Sequence, residues 1–200
     1  VPSQVISEPA NTAPAIDISS TVTVQENQIN VLTAVVSDAD SGDTLTLSIS
    51  GGQDAGLFSI DNDSGLITFN TAPDYEAPSD ADATNDYEIQ VSVSDGKESV
   101  ARSVIISVSD VNDVPPSFIS PAIFNVQENQ TLIGTLDVID PDSSSITFSV
   151  VNPDITITNE GTLSFLTAPD YEFNDRYFVT VSASDGANST NQTFTISIED

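Results

Sequence analysis

Short acidic motifs recur along this sequence at spacings that could place several carboxylates around one cation. The pair Asp38/Asp40 returns 102 residues later as Asp140/Asp142. Three more segments recur in the same order: 24–28 as 126–130, 71–76 as 167–172, and 94–96 as 184–186. An Asp-x-Asp pair in an extended segment directs both carboxylates to one side of the chain. Because calcium accepts carboxylate and carbonyl oxygens in flexible geometry, these motifs indicate sites for a hard cation.

The composition narrows the chemistry further. The chain has 31 Asp and Glu against 3 Lys and Arg, a net charge of −28, and no His, Cys, Met or Trp. The usual general base, the thiol nucleophile and the ligands that zinc and copper prefer are therefore missing, and we expect no enzyme. Such a charge argues against nucleic acid and anionic membranes as partners. Total charge alone leaves two explanations open, a solvated acidic surface or a set of calcium sites.

The recurring landmarks predict two similar domains. Alternating apolar and polar residues, which indicate half-exposed antiparallel strands, occupy segments 44–49, 87–93, 103–108, 146–150, 178–183 and 194–198. Asp-Gly at 95–96 and at 185–186 predicts a hairpin in each copy. About seven short strands per domain and no helix are expected. The sequence thus predicts an all-β chain of two tandem immunoglobulin-like Greek-key β-sandwiches in an elongated arrangement.

A proline-containing linker is expected where the two copies meet, at residues 111–116. The predicted divisions are a residual linker from a preceding repeat at 1–13, a first domain at 14–113 and a second at 114–200, ending before its own next linker. The sequence given starts at Val1 without the charged segment and apolar run of a signal peptide, and no apolar run approaches 18 residues. We therefore expect the chain to be a section of a longer array.

In order and twice over, these motifs resemble cadherin repeats of the bacterial type. The elements that carry the resemblance are Gln-Glu-Asn, Asp-x-Asp, Pro-Asp-Tyr-Glu, Ser-Asp-Gly and the linker Asp-Val-Asn-Asp-Val-Pro at 110–115. The resemblance covers about residues 14–200. The sequence departs from the family pattern at Val114, where the family usually has Asn. Only the backbone carbonyl of this position binds calcium in the family.

The resemblance implies about three calcium ions at the central linker, with more at the two ends. Two ions would be held by Glu26, Asp74, Glu76, Asp110, Asp113 and the carbonyl of Val111. The third would be held by Asn112, the carbonyl of Val114, Asp140, Asp142 and Asp185. Weaker sites are implied at the ends of the chain, by Asn11, Asp38, Asp40 and Asp95 on one side and by Glu128, Asp170, Glu172 and Asp200 on the other.

The function that follows by resemblance is that of an extracellular adhesin or surface protein, of a Gram-negative bacterium, whose calcium stiffens the array for cell adhesion. Expected partners are calcium, neighbouring repeats of the chain, and homophilic contacts or polysaccharide. The alternative is a calcium-dependent carbohydrate-binding module, although the sequence has no Trp and only four Tyr for sugar platforms. A carboxylate pair such as Asp74/Glu76 could serve a glycosidase, but the repeat pattern already accounts for both residues.

Overall fold

The computed structural model describes residues 10–200, which divide into two units of β-strands. Unit 1 ends at Val111 and unit 2 begins at Asn112. Most of the linker expected at 1–13 lies outside the described residues. Among residues 10–200, no helix is long and apolar enough to cross a membrane.

Unit 1 contains nine strands and one three-residue 3-10 helix. The strands are β1 (Ala15–Asp17), β2 (Thr21–Gln25), β3 (Asn30–Thr33), β4 (Val35–Ser37), β5 (Thr46–Gly51), β6 (Phe58–Ile60), β7 (Leu66–Phe69), β8 (Asp86–Ser94) and β9 (Ser99–Ser109), and the helix is Ala55–Leu57. They form a four-stranded sheet in the order β2-β9-β8-β5, a three-stranded sheet in the order β3-β7-β6, and the pair β1-β4. The chain passes between the larger sheets after β2, β5 and β7, as a sandwich requires.

Unit 2 repeats this topology strand for strand. Its strands are β10 (Ser117–Phe118), β11 (Ile123–Gln127), β12 (Leu132–Thr135), β13 (Val138–Ile139), β14 (Thr147–Val150), β15 (Ile155–Ile157), β16 (Thr162–Phe165), β17 (Arg176–Ser184) and β18 (Ser189–Glu199). The sheets are ordered β11-β18-β17-β14, β12-β16-β15 and β10-β13. The predicted all-β sandwich class is confirmed, although the described residues form nine strands in each unit rather than about seven.

Alternation along the two longest strands builds each core. In β8 every second residue is buried, beginning with Tyr87, whose side chain is fully inaccessible. Tyr87 meets Phe69 edge to face, with ring centroids 5.2 Å apart. In unit 2 the corresponding Tyr177 packs edge-on against Phe165 at 5.0 Å. Edge-to-face pairs of this kind add about 0.5–1.5 kcal/mol to the burial of their apolar area.

Each predicted Asp-Gly hairpin is present, and it joins the two longest strands of its unit. Ser94 pairs with Ser99, and Ser184 pairs with Ser189, so four residues form each loop. Gly96 has φ +89° and Gly186 has φ +100°, which glycine adopts without steric cost.

The alternating segments pair antiparallel with one another, as expected, and one further strand pair in each unit is parallel. Strand β2 runs parallel to β9, and β11 runs parallel to β18. Alternation along a strand reports which face is buried but carries no information on the direction of the neighbouring strand. The parallel pairing matters for function because it brings the ends of β2 and β9 to the same edge of the sheet.

Candidate functional site

Four acidic clusters lie in the described residues, two in each unit. Within each cluster, one carboxylate oxygen of every member lies within 4.8 Å of the others. The clusters are the Glu26 cluster (Glu26, Glu76, Asp110), the Asp95 cluster (Asp38, Asp43, Asp95), the Asp142 cluster (Asp140, Asp142, Asp185) and the Glu128 cluster (Glu128, Asp170, Glu172).

The parallel pairing of β2 with β9 assembles the Glu26 cluster. Gln25 pairs with Ser109 at the end of both strands, so the next residues, Glu26 and Asp110, emerge side by side. Asn27 then adopts a left-handed conformation, φ 62°, and its amide donates to the carbonyl of Pro73 at 2.9 Å. This hydrogen bond draws in the segment that carries Glu76. The recurring Gln-Glu-Asn motif therefore specifies a turn as well as a cluster carboxylate.

Glu26 is the most deeply buried carboxylate of the described residues, with 2% of its side chain exposed. Its Oε2 accepts the amide of Tyr75 at 2.8 Å, and its Oε1 accepts the amide of Val111, also at 2.8 Å. Two charge-assisted hydrogen bonds thus offset the cost of burying Glu26. They also fix the last residue of unit 1 against its acidic cluster.

Loop amides position the Asp142 cluster in unit 2 in the same manner. Asp142 Oδ2 accepts the amides of Asp113 and Val114 at 2.8 and 2.9 Å. Asp140 Oδ1 accepts the amide of Ser143 at 2.9 Å. Asp185, in the loop between β17 and β18, accepts the amide of Ala187 at 2.7 Å. Each carboxylate therefore has one oxygen held by the backbone.

The second oxygen of each carboxylate in the Asp142 cluster has no hydrogen-bond donor. These atoms are Asp140 Oδ2, Asp142 Oδ1 and Asp185 Oδ2, and all three are inaccessible to solvent. Burial, followed by the neighbouring Asp142 carboxylate, raises the pKa of Asp140. Buried acceptors without donors are costly, so a cation is the partner that this arrangement fits.

The Asp95 cluster of unit 1 differs because it contains a positive charge. Lys97 Nζ lies 3.2 Å from Asp43 Oδ2. Asp95 is buried, its Oδ1 accepts the amide of Lys97 at 2.7 Å, and its Oδ2 accepts Asn11 Nδ2 at 2.9 Å. The amide of Glu98, then the Asn11 side chain and the Lys97 amide, lower the pKa of Asp95 to about 2.

The structure brings together most of the acidic residues that the sequence singled out, but not all. Asp74 lies outside the Glu26 cluster, where its Oδ1 accepts the amide of Ala77 at 3.1 Å. Asp40 lies outside the Asp95 cluster, and its Oδ2 accepts the amide of Thr12 at 2.7 Å. Asp200 is not a member of the Glu128 cluster.

Sequence reasoning missed Asp43 and Lys97 in the Asp95 cluster. The comparison of the two copies conceals both residues, because the aligned positions in the second copy are Ser145 and Ala187. Asp43 follows Asp40 by three positions, and this spacing was the only available signal for Asp43.

Comparison with known proteins finds a matching family model for each unit. Residues 20–109 match the family model of the cadherin domain, and residues 112–199 match that of the bacterial Ig domain. Cadherin-3 of Caenorhabditis elegans is 31% identical over 127 residues, which cover 62% of this chain and 4% of that protein. Chitinase A of Pseudoalteromonas piscicida is 27% identical over 192 residues, covering 95% of this chain and 22% of the chitinase.

Solved structures support the fold. A crystal structure of repeats EC22–24 of mouse cadherin-23 matches with a TM-score of 0.77 at 22% identity, covering 96% of this chain and 68% of that one. The resemblance to cadherin repeats inferred from the motifs is confirmed. The chain spans only a small part of the curated relatives that it matches, 4% of cadherin-3 and 22% of chitinase A.

The burial of Glu26 makes a prediction for stability in the absence of metal. Glu26→Ala leaves the amides of Tyr75 and Val111 without an acceptor, and we expect unit 1 to lose about 2–4 kcal/mol of unfolding free energy. Urea denaturation in chelator measures this loss. The matched variant is Glu128→Ala in unit 2, since Glu128 is only half-buried and accepts the amide of Tyr171. An equal loss in both variants would contradict the role assigned to the two hydrogen bonds of Glu26.

Proposed function

We propose that this chain, whose two units match a cadherin domain and a bacterial Ig domain, binds Ca²⁺ at the Glu26 and Asp142 clusters. The observation that carries the proposal is the set of three buried carboxylate oxygens without donors in the Asp142 cluster. Backbone amides already orient the other oxygen of each carboxylate. A calcium ion takes six to eight oxygen ligands, so the cluster would supply part of its shell at little cost in reorganisation.

The remaining ligands that we propose lie on or near the peptide that leaves unit 1. Asp110 belongs to the Glu26 cluster, and the amides of Asp113 and Val114, three and four residues later, bind Asp142. The same short segment thus contributes to both clusters. We propose that Asn112, Asp113, Asp74 and the carbonyls of Val111 and Val114 complete the shells of about three ions.

Calcium at these positions would change the electrostatics of the linker. Like charges about 4 Å apart repel by roughly 1 kcal/mol even at the dielectric constant of water, and by more when partly desolvated. A divalent ion reverses this repulsion and ties the flanking carboxylates to the linker backbone. We propose that calcium thereby restrains residues 110–114 and stiffens the tandem.

We propose that this tandem is part of an adhesive surface protein. Its relatives include cadherins, and a bacterial source accords with the bacterial Ig match and with the similarity to a bacterial chitinase. We propose a location outside the cell or on its surface, in a Gram-negative bacterium, with neighbouring repeats and homophilic contacts as partners. Extracellular calcium modules bind with dissociation constants of about 10⁻⁴ to 10⁻³ M, so occupancy would follow external calcium.

The carbohydrate-binding alternative is not favoured by the positions of the tyrosines. Tyr87 is fully buried, and Tyr177 packs against Phe165. Tyr75 and Tyr171 are 37% and 39% exposed, and each donates its amide to a glutamate of an acidic cluster. The described residues of unit 1 therefore offer one partly exposed tyrosine, and those of unit 2 offer Tyr171 and the half-buried Tyr177. This is little tyrosine surface for a platform that binds sugar rings. The similarity to chitinase A concerns 22% of that enzyme.

Asp140→Asn separates metal binding from simple structural damage. The substitution removes the charge of the Asp140 carboxyl, whose pKa is raised by burial and by Asp142 in the absence of metal. The amide oxygen of the new Asn side chain can still accept the hydrogen bond from the Ser143 amide. A carboxyl whose folded pKa is raised destabilises the fold when ionised, so we expect a higher thermal midpoint than wild type at pH 7. In saturating calcium the variant lacks a charged ligand, and we expect a lower midpoint than wild type.

The matched control is Asp137→Asn, which removes an exposed carboxylate of the same unit that belongs to no acidic cluster. Its midpoint should differ little from wild type in either buffer. A calcium concentration one hundred times the dissociation constant adds about 2.7 kcal/mol to stability, enough to resolve the difference. If calcium leaves the wild-type midpoint unchanged, the proposed function is wrong.

The proposed stiffening can be tested by small-angle X-ray scattering of the full chain. We expect calcium to narrow the distribution of maximum dimensions of the wild type, because a restrained linker samples fewer conformations. Asp113→Ala should show a smaller response at the same calcium concentration. Superimposable wild-type curves in calcium and in chelator would rule out stiffening without ruling out binding.

A further inference from the structure

Lys97 places an ammonium group against the Asp95 cluster, where it forms an ion pair with Asp43. We infer that Lys97 is a built-in counter-charge that makes the Asp95 cluster a poor calcium site, while its counterpart in unit 2 requires the metal. This inference rests on the proposed function. It adds a residue that determines which of two equivalent clusters takes up calcium.

The ammonium group of Lys97 contacts the cluster directly through Asp43 and indirectly through Asn11. Its Nζ donates to Asp43 Oδ2 at 3.2 Å, to Asp43 Oδ1 at 3.3 Å and to Asn11 Oδ1 at 3.1 Å. Asn11 in turn donates its Nδ2 to Asp95 and Glu98. The charges of Asp43, Asp95 and Asp40 all act on the ammonium group, and they accompany a raised pKa of Lys97. The lysine is therefore protonated throughout the physiological range.

The equivalent positions of unit 2 lack both partners of this ion pair. Alignment of the repeats places Ser145 at the position of Asp43 and Ala187 at that of Lys97. The loop geometry is otherwise the same, since the first carboxylate oxygen of Asp95 and of Asp185 accepts amides two and three residues later. The charge environment thus differs while the backbone of the two loops agrees.

The two clusters also differ in the number of buried carboxylate oxygens that have no hydrogen-bond donor. In the Asp142 cluster each of the three carboxylates has one buried oxygen without a donor. In the Asp95 cluster of the described residues only Asp38 has such an oxygen, Oδ2. Since the ammonium group and Asn11 already satisfy the other two carboxylates, the Asp95 cluster has less to gain from a cation.

The expected effect on affinity follows from Coulomb's law. A fixed positive charge about 4 Å from a divalent ion would weaken binding by roughly thirtyfold at the dielectric constant of water. The side chain of Lys97 is 58% exposed and can move aside, so we expect a smaller effect, roughly tenfold.

Calorimetric titration of the full chain with calcium chloride tests the inference with two reciprocal variants. Lys97→Met keeps the aliphatic stem and removes the charge, and it should add a calcium equivalent or tighten the weakest phase by roughly tenfold. The double variant Ser145→Asp/Ala187→Lys rebuilds the ion pair in unit 2 and should weaken the Asp142 phase by a similar factor. Arg102→Met is the control, because the exposed Arg102 donates only to the carbonyl of Ala101 among the described residues.

Thermal midpoints in chelator keep this test separate from the proposed function. Without metal, Lys97→Met should lower the midpoint of unit 1 by a few degrees relative to Arg102→Met, because the cluster loses its counter-charge. If no variant takes up calcium, the proposed function fails, and the chelator midpoint alone decides whether Lys97 neutralises the cluster. Identical titrations and identical chelator midpoints for Lys97→Met and Arg102→Met would overturn the inference.

Discussion

Hydrogen bonds from backbone amides fix the orientation of carboxylates in the acidic clusters, and the proposed function depends on that orientation. Glu26 accepts two amides, and Asp142 accepts two from the linker. Such bonds hold a carboxylate in one rotamer and stabilise its charge, so several can share a small volume. In Asp140, Asp142 and Asp185 they leave the opposite oxygen without a donor, and we propose that a cation takes that place. Without them, the same acids would be mobile side chains on an acidic surface, which is how the net charge of −28 would otherwise be explained.

The two units use one topology to produce clusters that differ in charge. Parallel pairing of β2 with β9, and of β11 with β18, places a glutamate beside the last residues of each unit. The loop after β8 or β17 supplies the aspartate at the other end. We infer that the presence of Lys97 in one loop and of Ala187 in the other gives the two clusters different affinities for a cation. A repeat array could in this way keep the same backbone and vary the calcium response from one domain to the next.

The sequence predicted the sandwich class, the hairpins and most members of the clusters, since each depends on local spacing or on the repeat. The parallel strand pair escaped prediction because alternation does not encode the direction of a neighbour. Asp43 and Lys97 escaped because a comparison of two copies detects what they share, and this ion pair occurs in one copy alone. Asp74 lies outside the Glu26 cluster, where its Oδ1 accepts the amide of Ala77 in a local turn, and its role as a ligand stays a prediction. Local hydrogen bonds of this kind are set by backbone geometry that motif spacing does not contain.

Amide chemical shifts during a calcium titration test the central claim most directly. Some backbone amides donate to the cluster carboxylates, above all those of Val111, Asp113 and Val114. Their chemical shifts report any ion that binds these carboxylates. If fixed clusters bind calcium, these amides will show large, saturable shifts, while exposed acids such as Asp137 show little change. Small shifts that spread over all acidic residues and do not saturate would instead identify a diffuse ion atmosphere and contradict the proposed sites.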